Sequence, residues 1–231
     1  MTPSFTMDAS ALGASDWLQL ELRGHDRLDL KGGAGDDKVV AGKKGLLLID
    51  AGDGNNNVVG GKHADQIRSG IGDDILVGGH GRDALTDRGG EHNTLDGGSG
   101  DDMLSSGGGA DTLIGGTGLD RFVFAAPSLV ANMDTIADFT AGEHLDTPFH
   151  ITAFDTAVEH SVSAATFSDD LTAVGANLAA NHAIVFTAGS GDLAGHRYLL
   201  IGFDGAVGFN ADTDWVIQID GTAPITTATF I

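Results

Sequence analysis

Residues 97–123, GGSGDDMLSSGGGADTLIGGTGLDRFV, divide into three nine-residue units that begin at Gly97, Ser106 and Gly115. Each unit has glycine at its second and fourth places, aspartate at its sixth place and an apolar residue at its eighth place. A short, fixed period is the sequence signature of a protein built from stacked structural repeats.

The nine-residue frame extends toward the N terminus, and 25 of the 36 glycines lie between residues 31 and 124. Six further copies begin at Gly32, Ala51, Gly60, Ser69, Gly78 and Arg88. Two weaker copies begin at Arg23 and Ala41, and Asp50 and Asp87 are interpreted as single-residue insertions.

The eighth place of the repeat is apolar in every copy. In chain order it holds Leu30, Val39, Leu48, Val58, Ile67, Leu76, Leu85, Leu95, Leu104, Leu113 and Phe122. A solenoid needs such a column of inward-facing residues, whereas a flexible glycine-rich linker does not. Each repeat is therefore predicted to form a six-residue turn and a strand of about three residues whose middle side chain points inward.

The sixth place, within the turn, is Asp or Asn in the nine better copies: Asp37, Asn56, Asp65, Asp74, Asp83, Asn93, Asp102, Asp111 and Asp120. The full pattern is G-G-x-G-x-D-x-U-x, where U is apolar, and with it the sequence resembles the RTX family of calcium-binding repeat proteins. The resemblance is strong over residues 32–123.

The resemblance implies an all-β fold, a right-handed parallel β-roll (β-solenoid) in which two nonapeptides form one coil turn and repeat n stacks on repeat n+2. Residues 1–31 are expected to form N-terminal capping strands, with a remnant of a longer upstream domain as the alternative. Residues 32–123 are expected to form the calcium-binding roll. Residues 124–231 are expected to form a mostly β post-repeat region with one short helix.

Glycines with positive φ can point successive carbonyl oxygens into a turn, and the sixth-place carboxylate adds a further oxygen. Calcium suits such an oxygen cage better than magnesium, which holds its waters, or zinc, which prefers His and Cys. The candidate metal-binding residues are Gly33, Gly35, Asp37, Gly52, Gly54, Asn56, Gly61, His63, Asp65, Gly70, Gly72, Asp74, Gly79, Gly81, Asp83, Asn93, Gly98, Gly100, Asp102, Gly107, Gly109, Asp111, Gly116, Gly118 and Asp120.

Stacking of repeats n and n+2 divides the sixth-place residues between two edges of the roll and gives up to about seven calcium sites. One edge has Asp37, Asn56, Asp74, Asn93 and Asp111, and the other has Asp65, Asp83, Asp102 and Asp120. Because an asparagine supplies a neutral oxygen, weaker sites are expected on the first edge. His63 and Glu91 replace fourth-place glycines, and the turns with Leu28 and Leu46 at the sixth place are expected to hold no metal.

The two ends of the chain differ from the repeat. Trp17 to Leu22 alternates like a strand and is predicted to cap the roll. The segment from Asp134 to Phe139 is similar to the one that follows the repeats in serralysin-type proteases, and RTX rolls also occur in alginate epimerases. A helix is predicted from Ser168 to about Ala180, strands at residues 183–187, 197–203 and 215–219, and a hairpin around Gly205 and Gly208.

Composition and motifs exclude several classes of function. A formal net charge of −21 argues against nucleic-acid binding. No apolar run is long enough to span a membrane, Met1 to Ser15 lacks the features of a cleaved signal peptide, and no cysteine is present. Neither H-E-x-x-H nor G-x-S-x-G occurs, so no catalytic residues are proposed and the protein is not expected to be an enzyme.

The function expected from the resemblance is a calcium-binding RTX module of a secreted, extracellular protein. It would fold as calcium reaches millimolar levels and support secretion, stability or surface attachment, with the type I secretion machinery as a partner. Two alternatives remain open at this point. The chain could be a calcium-dependent module that binds an alginate-like polysaccharide or a cell surface, or the non-catalytic end of a secreted hydrolase or epimerase.

Overall fold

The computed structural model describes residues 4–11, 13, 19–21, 27–40, 45–90, 92–125, 128–148, 150–155, 162–189 and 193–231. Most of these residues form a β-solenoid of about six turns, built from two sheets whose strands are parallel within the solenoid. The predicted capping residues Trp17, Leu18 and Leu22, and also Glu91, lie outside the described residues.

The first sheet contains the strands β1 (Ser4–Asp8), β3 (Arg27–Lys31), β5 (Leu46–Asp50), β7 (Gln66–Arg68), β9 (Ala84–Thr86), β11 (Met103–Ser106), β13 (Arg121–Phe124) and β15 (His144–Asp146), in this order. The second sheet begins with β2 (Gln19–Glu21), β4 (Lys38–Val40), β6 (Asn57–Val59), β8 (Ile75–His80), β10 (Thr94–Ser99), β12 (Thr112–Thr117) and β14 (Asp134–Ile136). It continues through β19 (Trp215–Ile219), β18 (Arg197–Ile201), β17 (His182–Thr187) and β16 (Ala153–Phe154).

The chain alternates between the two sheets, so each repeat pairs with the second repeat along the sequence. In the second sheet, Leu95 of β10 is in register with Leu76 of β8 and Leu113 of β12. All three leucine side chains are fully buried between the sheets. The predicted stacking of repeats n and n+2 and the predicted all-β solenoid are therefore confirmed.

The alignment of the repeat beginning at Ala41 was wrong by one residue. The inward-facing side chains of β5 are Leu47 and Ile49, whereas Leu48 is half-buried on the outer face. Ile49 pairs with Ile67 of β7 and so occupies the eighth place, and Leu47 instead of Leu46 occupies the sixth. Because side chains alternate between the two faces of a strand, a shift of one residue exchanges inside and outside.

Strand pairing continues beyond residue 123, where the nine-residue frame ends. Strand β15 pairs with β13, and β14 pairs with both β12 and β19. Strands β17, β18 and β19 are antiparallel neighbours, which confirms the three predicted strands and the hairpin. The second sheet thus connects the roll to the C-terminal region.

One short helix, α1 (Phe167–Val174), packs on this antiparallel part of the sheet through Leu171 and Val174. The predicted helix was too long, and Ser168 lies inside it instead of capping it. The helix ends before Gly175, whose amide bonds to the Leu171 carbonyl and whose Cα position is too close to Phe209 for a larger side chain.

The C-terminal residues close the far end of the first sheet. Phe230 is 6% exposed, forms a parallel bridge with Leu145 of β15 and packs against Phe154 at a ring-centroid distance of 6.1 Å. Among the described residues, no helix has the length and apolar character needed to cross a membrane.

Candidate metal centre

The turns that connect the two sheets depend on glycine backbone conformation. Gly98 and Gly100, at the second and fourth places of one repeat, have φ values of 95° and 134°, which side-chain-bearing residues rarely adopt. Positive φ also occurs at Gly52, Gly54, Gly72, Gly79, Gly81, Gly109, Gly116 and Gly118. It does not occur at the other glycines among the candidate residues, Gly33, Gly35, Gly61, Gly70 and Gly107.

The sixth-place residues form one column along each edge of the roll. The aspartate edge contains Asp65, Asp83, Asp102 and Asp120, and each of these residues is at most 2% exposed. The asparagine edge contains Asp37, Asn56, Asp74, Asn93 and Asp111, each at most 3% exposed. The sequence pattern predicts the same residues on these two edges, and the structure brings them together in stacked turns.

A ladder of hydrogen bonds joins the residues of each edge. On the aspartate edge, the amide of Asp65 donates to Oδ1 of Asp83 at 2.7 Å, and the amide of Asp83 donates to Oδ1 of Asp102 at 2.7 Å. The amide of Asp102 donates to Oδ1 of Asp120 at 2.8 Å. The same pattern runs along the asparagine edge from Asp37 to Asp111. Each acceptor thus uses one side-chain oxygen, a carboxylate oxygen of an aspartate or the amide oxygen of an asparagine, to hold the neighbouring turn.

The second oxygen of most of these carboxylates has no hydrogen-bond partner, whereas Oδ2 of Asp65 accepts the amide of Gly61 at 2.9 Å. Oδ2 is buried without a hydrogen-bond partner in Asp74, Asp83, Asp102, Asp111 and Asp120. Burying a charged oxygen without a partner is costly, so the site needs either a proton or a cation beside these atoms. Oxygen atoms from stacked turns are the ligands that a hard cation such as calcium takes.

Burial also changes the proton affinity of these groups. The pKa of Asp83 is raised to about 7, mainly by loss of hydration and also by the neighbouring charges of Asp102 and Asp65. Burial likewise raises the pKa of Asp102 and that of Asp111 to about 6. The pKa values of Asp65, Asp74 and Asp120 are raised mainly for the same reason.

The glycines at the first place leave room for the unpartnered oxygens. A Cβ atom at Gly78, Gly97 or Gly115 would lie 2.5 Å from Oδ2 of the sixth-place aspartate in its own repeat. Any side chain at these positions would displace the carboxylate. The paired glycines of the aspartate edge therefore preserve both the turn conformation and the space around the carboxylate.

Sequence reasoning missed two acidic residues that extend the columns beyond the last nonapeptide. Asp134 is 1% exposed, and its Oδ1 accepts the amide of Asp111 at 3.0 Å. Glu143 is 2% exposed and precedes β15 at the place that Asp120 has before β13. Burial raises the pKa of each to about 7. The sequence feature that could have identified them is an acidic residue two places before a buried apolar residue, as in Asp134-Thr135-Ile136.

Other predicted positions are less suited to bind metal. His63 is exposed, and the sixth places of the two weaker repeats are occupied by the buried apolar residues Leu28 and Leu47. Within the described part of the chain, no three His, Asp or Glu side chains are grouped to hold a metal. A site in these turns would therefore combine one carboxylate from a turn with backbone carbonyl oxygens.

Comparison with known families agrees with this geometry. Residues 23–43, 50–85 and 87–122 match the family model of the RTX calcium-binding nonapeptide repeat, in four copies. The matched segments include every sixth-place Asp or Asn from Asp37 to Asp120. No curated protein matches the chain significantly.

Proposed function

We propose, on the premise that residues 23–122 carry RTX calcium-binding nonapeptide repeats, that this chain is the calcium-responsive module of an exported protein. It would remain largely unfolded where calcium is scarce and form the β-roll outside the cell. The observation that supports the proposal is the row of buried, unpartnered Oδ2 atoms along the turns.

Calcium would act at these atoms as the missing partner. Asp74, Asp83, Asp102, Asp111 and Asp120 would each contribute Oδ2, and the carbonyl oxygens of the glycine turns would complete the ligand set. When bound, the ion supplies positive charge between carboxylates that otherwise repel one another. The number of ions would be largest on the aspartate edge, where every sixth-place residue has a charge.

The free energy of folding is then coupled to calcium concentration. The glycine-rich repeat loses much backbone entropy on folding, and its carboxylates lose their hydration. An ion that binds the folded state but not the unfolded state compensates for these costs. Calcium sites of extracellular modules have dissociation constants of about 10⁻⁴ to 10⁻³ M. Such sites are empty where calcium is scarce, as in the cytoplasm, and are filled at the millimolar calcium outside the cell.

Circular dichroism with calcium and with EDTA tests the proposed coupling. We expect the β signal to be strong in millimolar calcium, to fall sharply in EDTA and to recover when calcium is added again. Magnesium at the same concentration serves as the control and should not restore the signal. An unchanged β signal in EDTA would contradict the proposal.

The export route is a separate part of the proposal. A chain that stays unfolded at low calcium suits passage through a type I secretion channel, and residues 124–231 would contain the export signal. Co-expression with a type I transporter should deliver the full chain to the medium, whereas a variant lacking the last strand-forming segment, Trp215–Ile231, should remain in the cells. Equal secretion of both chains would contradict this assignment.

Binding to an anionic polysaccharide receives less support from the surface of the roll. Three arginines of the first sheet and its turns are already paired with carboxylates: Arg27 with Asp29, Arg88 with Asp50, and Arg121 with Asp146. We therefore propose calcium-dependent folding as the primary function.

A further inference from the structure

The two asparagines on the asparagine edge have different surroundings. Asn56 donates from Nδ2 to the carbonyl oxygens of Gly52 and Gly54, at 3.1 and 3.0 Å. Asn93 instead donates from Nδ2 to Oδ1 of Asp111 at 3.1 Å. Among the described residues, the side-chain amide of Asn56 therefore contacts carbonyl oxygens of its own turn, whereas that of Asn93 contacts the next turn of the same edge.

The orientation of the Asn56 amide is determined by the backbone around it. Its Oδ1 accepts the amide of Asp37 at 2.9 Å, so its NH₂ group faces Gly52 and Gly54. The reverse orientation would place an oxygen against two carbonyl oxygens and an NH₂ group against an amide. Both ends of the side chain consequently have the partners that their chemistry requires.

Gly52 and Gly54 are the second-place and fourth-place glycines of their repeat, with φ values of 86° and 96°. Their carbonyls belong to the set of oxygens that would bind a cation in the other turns. In the turns of Asp83 and Asp102, the sixth-place residue presents an unpartnered oxygen. In this turn it presents two N–H donors.

We propose that the side-chain amide of Asn56 replaces calcium in its turn, so that this part of the roll is formed without metal. The inference rests on the proposed calcium-dependent folding of the other turns. The Asn56 turn lies between β5 and β6, near the N-terminal end of the roll. It provides a metal-independent start on which the calcium-dependent turns that follow can stack.

Two reciprocal substitutions test the role of the Asn56 amide. Asn56→Asp replaces the two N–H donors with a carboxylate oxygen, and this variant should bind an additional calcium ion and lose structure in EDTA. Asp83→Asn makes the opposite change on the aspartate edge, and this variant should bind fewer ions than the wild type. Calcium stoichiometry by titration calorimetry and β content by circular dichroism measure both effects.

Asn55→Asp is the matched control for the change in charge. Asn55 is exposed next to Asn56, and its Oδ1 accepts the amide of Asp73 at 2.8 Å, a bond that an aspartate can keep. This variant should bind the same number of calcium ions as the wild type. Equal ion numbers and equal residual structure in EDTA for wild type and Asn56→Asp would overturn the inference. An additional ion in both asparagine variants would also overturn it, because charge alone would then explain the gain.

Hydrogen exchange on the wild-type chain tests the inference even where Asn56→Asp fails to fold. In EDTA, the amide of Asn57, which bonds to the carbonyl of Asp37, should exchange more slowly than the amide of Met103, which bonds to the carbonyl of Asp83. Equal exchange of these two amides would overturn the inference. Absence of any calcium binding by the wild type would instead overturn the proposed function, so the two failures are distinguishable.

Discussion

The backbone amide of Asp83 donates a hydrogen bond to Oδ1 of Asp102 at 2.7 Å, while Oδ2 of Asp102 is buried without a partner. One carboxylate thus has two roles. Its first oxygen joins two successive turns of the roll directly, and its second oxygen requires a cation or a proton. This division explains why an aspartate in the turn is both a structural residue and a metal ligand.

Asp102→Ala removes both roles at once. We expect this variant to bind fewer calcium ions, and its free energy of unfolding in saturating calcium to fall by about 1–3 kcal/mol or more, because the buried amide of Asp83 loses its acceptor. Calcium titration and urea unfolding measure the two effects. Asp101→Ala is the control, since Asp101 is exposed and accepts the amide of Leu119. Similar losses in both variants would contradict the assignment.

Gly97→Ala tests whether the first-place glycines protect the carboxylates. The added Cβ would lie 2.5 Å from Oδ2 of Asp102, so the carboxylate must move and calcium affinity should fall about tenfold or more, a change of about 1.4 kcal/mol. Gly108→Ala is the matched control, because a Cβ at Gly108 meets no atom within 4 Å. It should leave calcium affinity unchanged. Equal affinities in the two variants would refute the steric argument.

The repeat could be predicted from sequence because its two chemical requirements recur at fixed places. One buried apolar residue per repeat and one acidic residue per turn determine the strand faces, the stacking and the column of carboxylates. The error at Leu48 arose where both cues fail. Residues 46–49 are all apolar and their turn has no acidic residue, so several alignments satisfy the pattern equally.

The extension of the acidic columns to Asp134 and Glu143 was not predicted for a different reason. The connections that precede these residues lack the nine-residue spacing, and only strand pairing brings them into line with Asp111 and Asp120. The hydrogen bonds of Asn56 also depend on three-dimensional contacts. Sequence alone suggested a weaker metal ligand there, whereas the structure shows an amide bound to the turn carbonyls.

Asp134→Ala tests whether the column continues beyond the nonapeptides. Asp134 accepts the buried amide of Asp111 at 3.0 Å, so its removal should lower the free energy of unfolding in calcium by about 1–3 kcal/mol. Thr135→Ala changes the next residue, which is half-buried on the outer face of the same strand, and should have a smaller effect. Urea unfolding followed by circular dichroism provides the comparison. A larger loss for Thr135→Ala would show that Asp134 has no special role.

The raised pKa values of the turn carboxylates predict that acid stabilises the calcium-free fold. The pKa of Asp83 is about 7 in the folded chain, against an ordinary value of 3.8, because burial disfavours its charged form. A group of this kind binds its proton more tightly in the folded state. Its contribution to stability is fully present below pH 3.8 and is lost as the pH rises through about 7. In EDTA, the β signal should therefore be stronger at pH 5 than at pH 8.

When calcium is present, we expect the opposite pH dependence of folding, because protons and calcium compete for the same oxygens. In limiting calcium, we expect the apparent calcium affinity to fall as the pH drops from about 8 to 5, across the raised pKa values of Asp83 and Asp102. Asp83→Asn removes one of these titrating groups and should weaken the pH dependence, whereas Asp73→Asn, at an exposed position in a neighbouring turn, should preserve it. Calcium titrations at several pH values measure this difference. A calcium affinity that is independent of pH would show that these buried carboxylates are not the ligands.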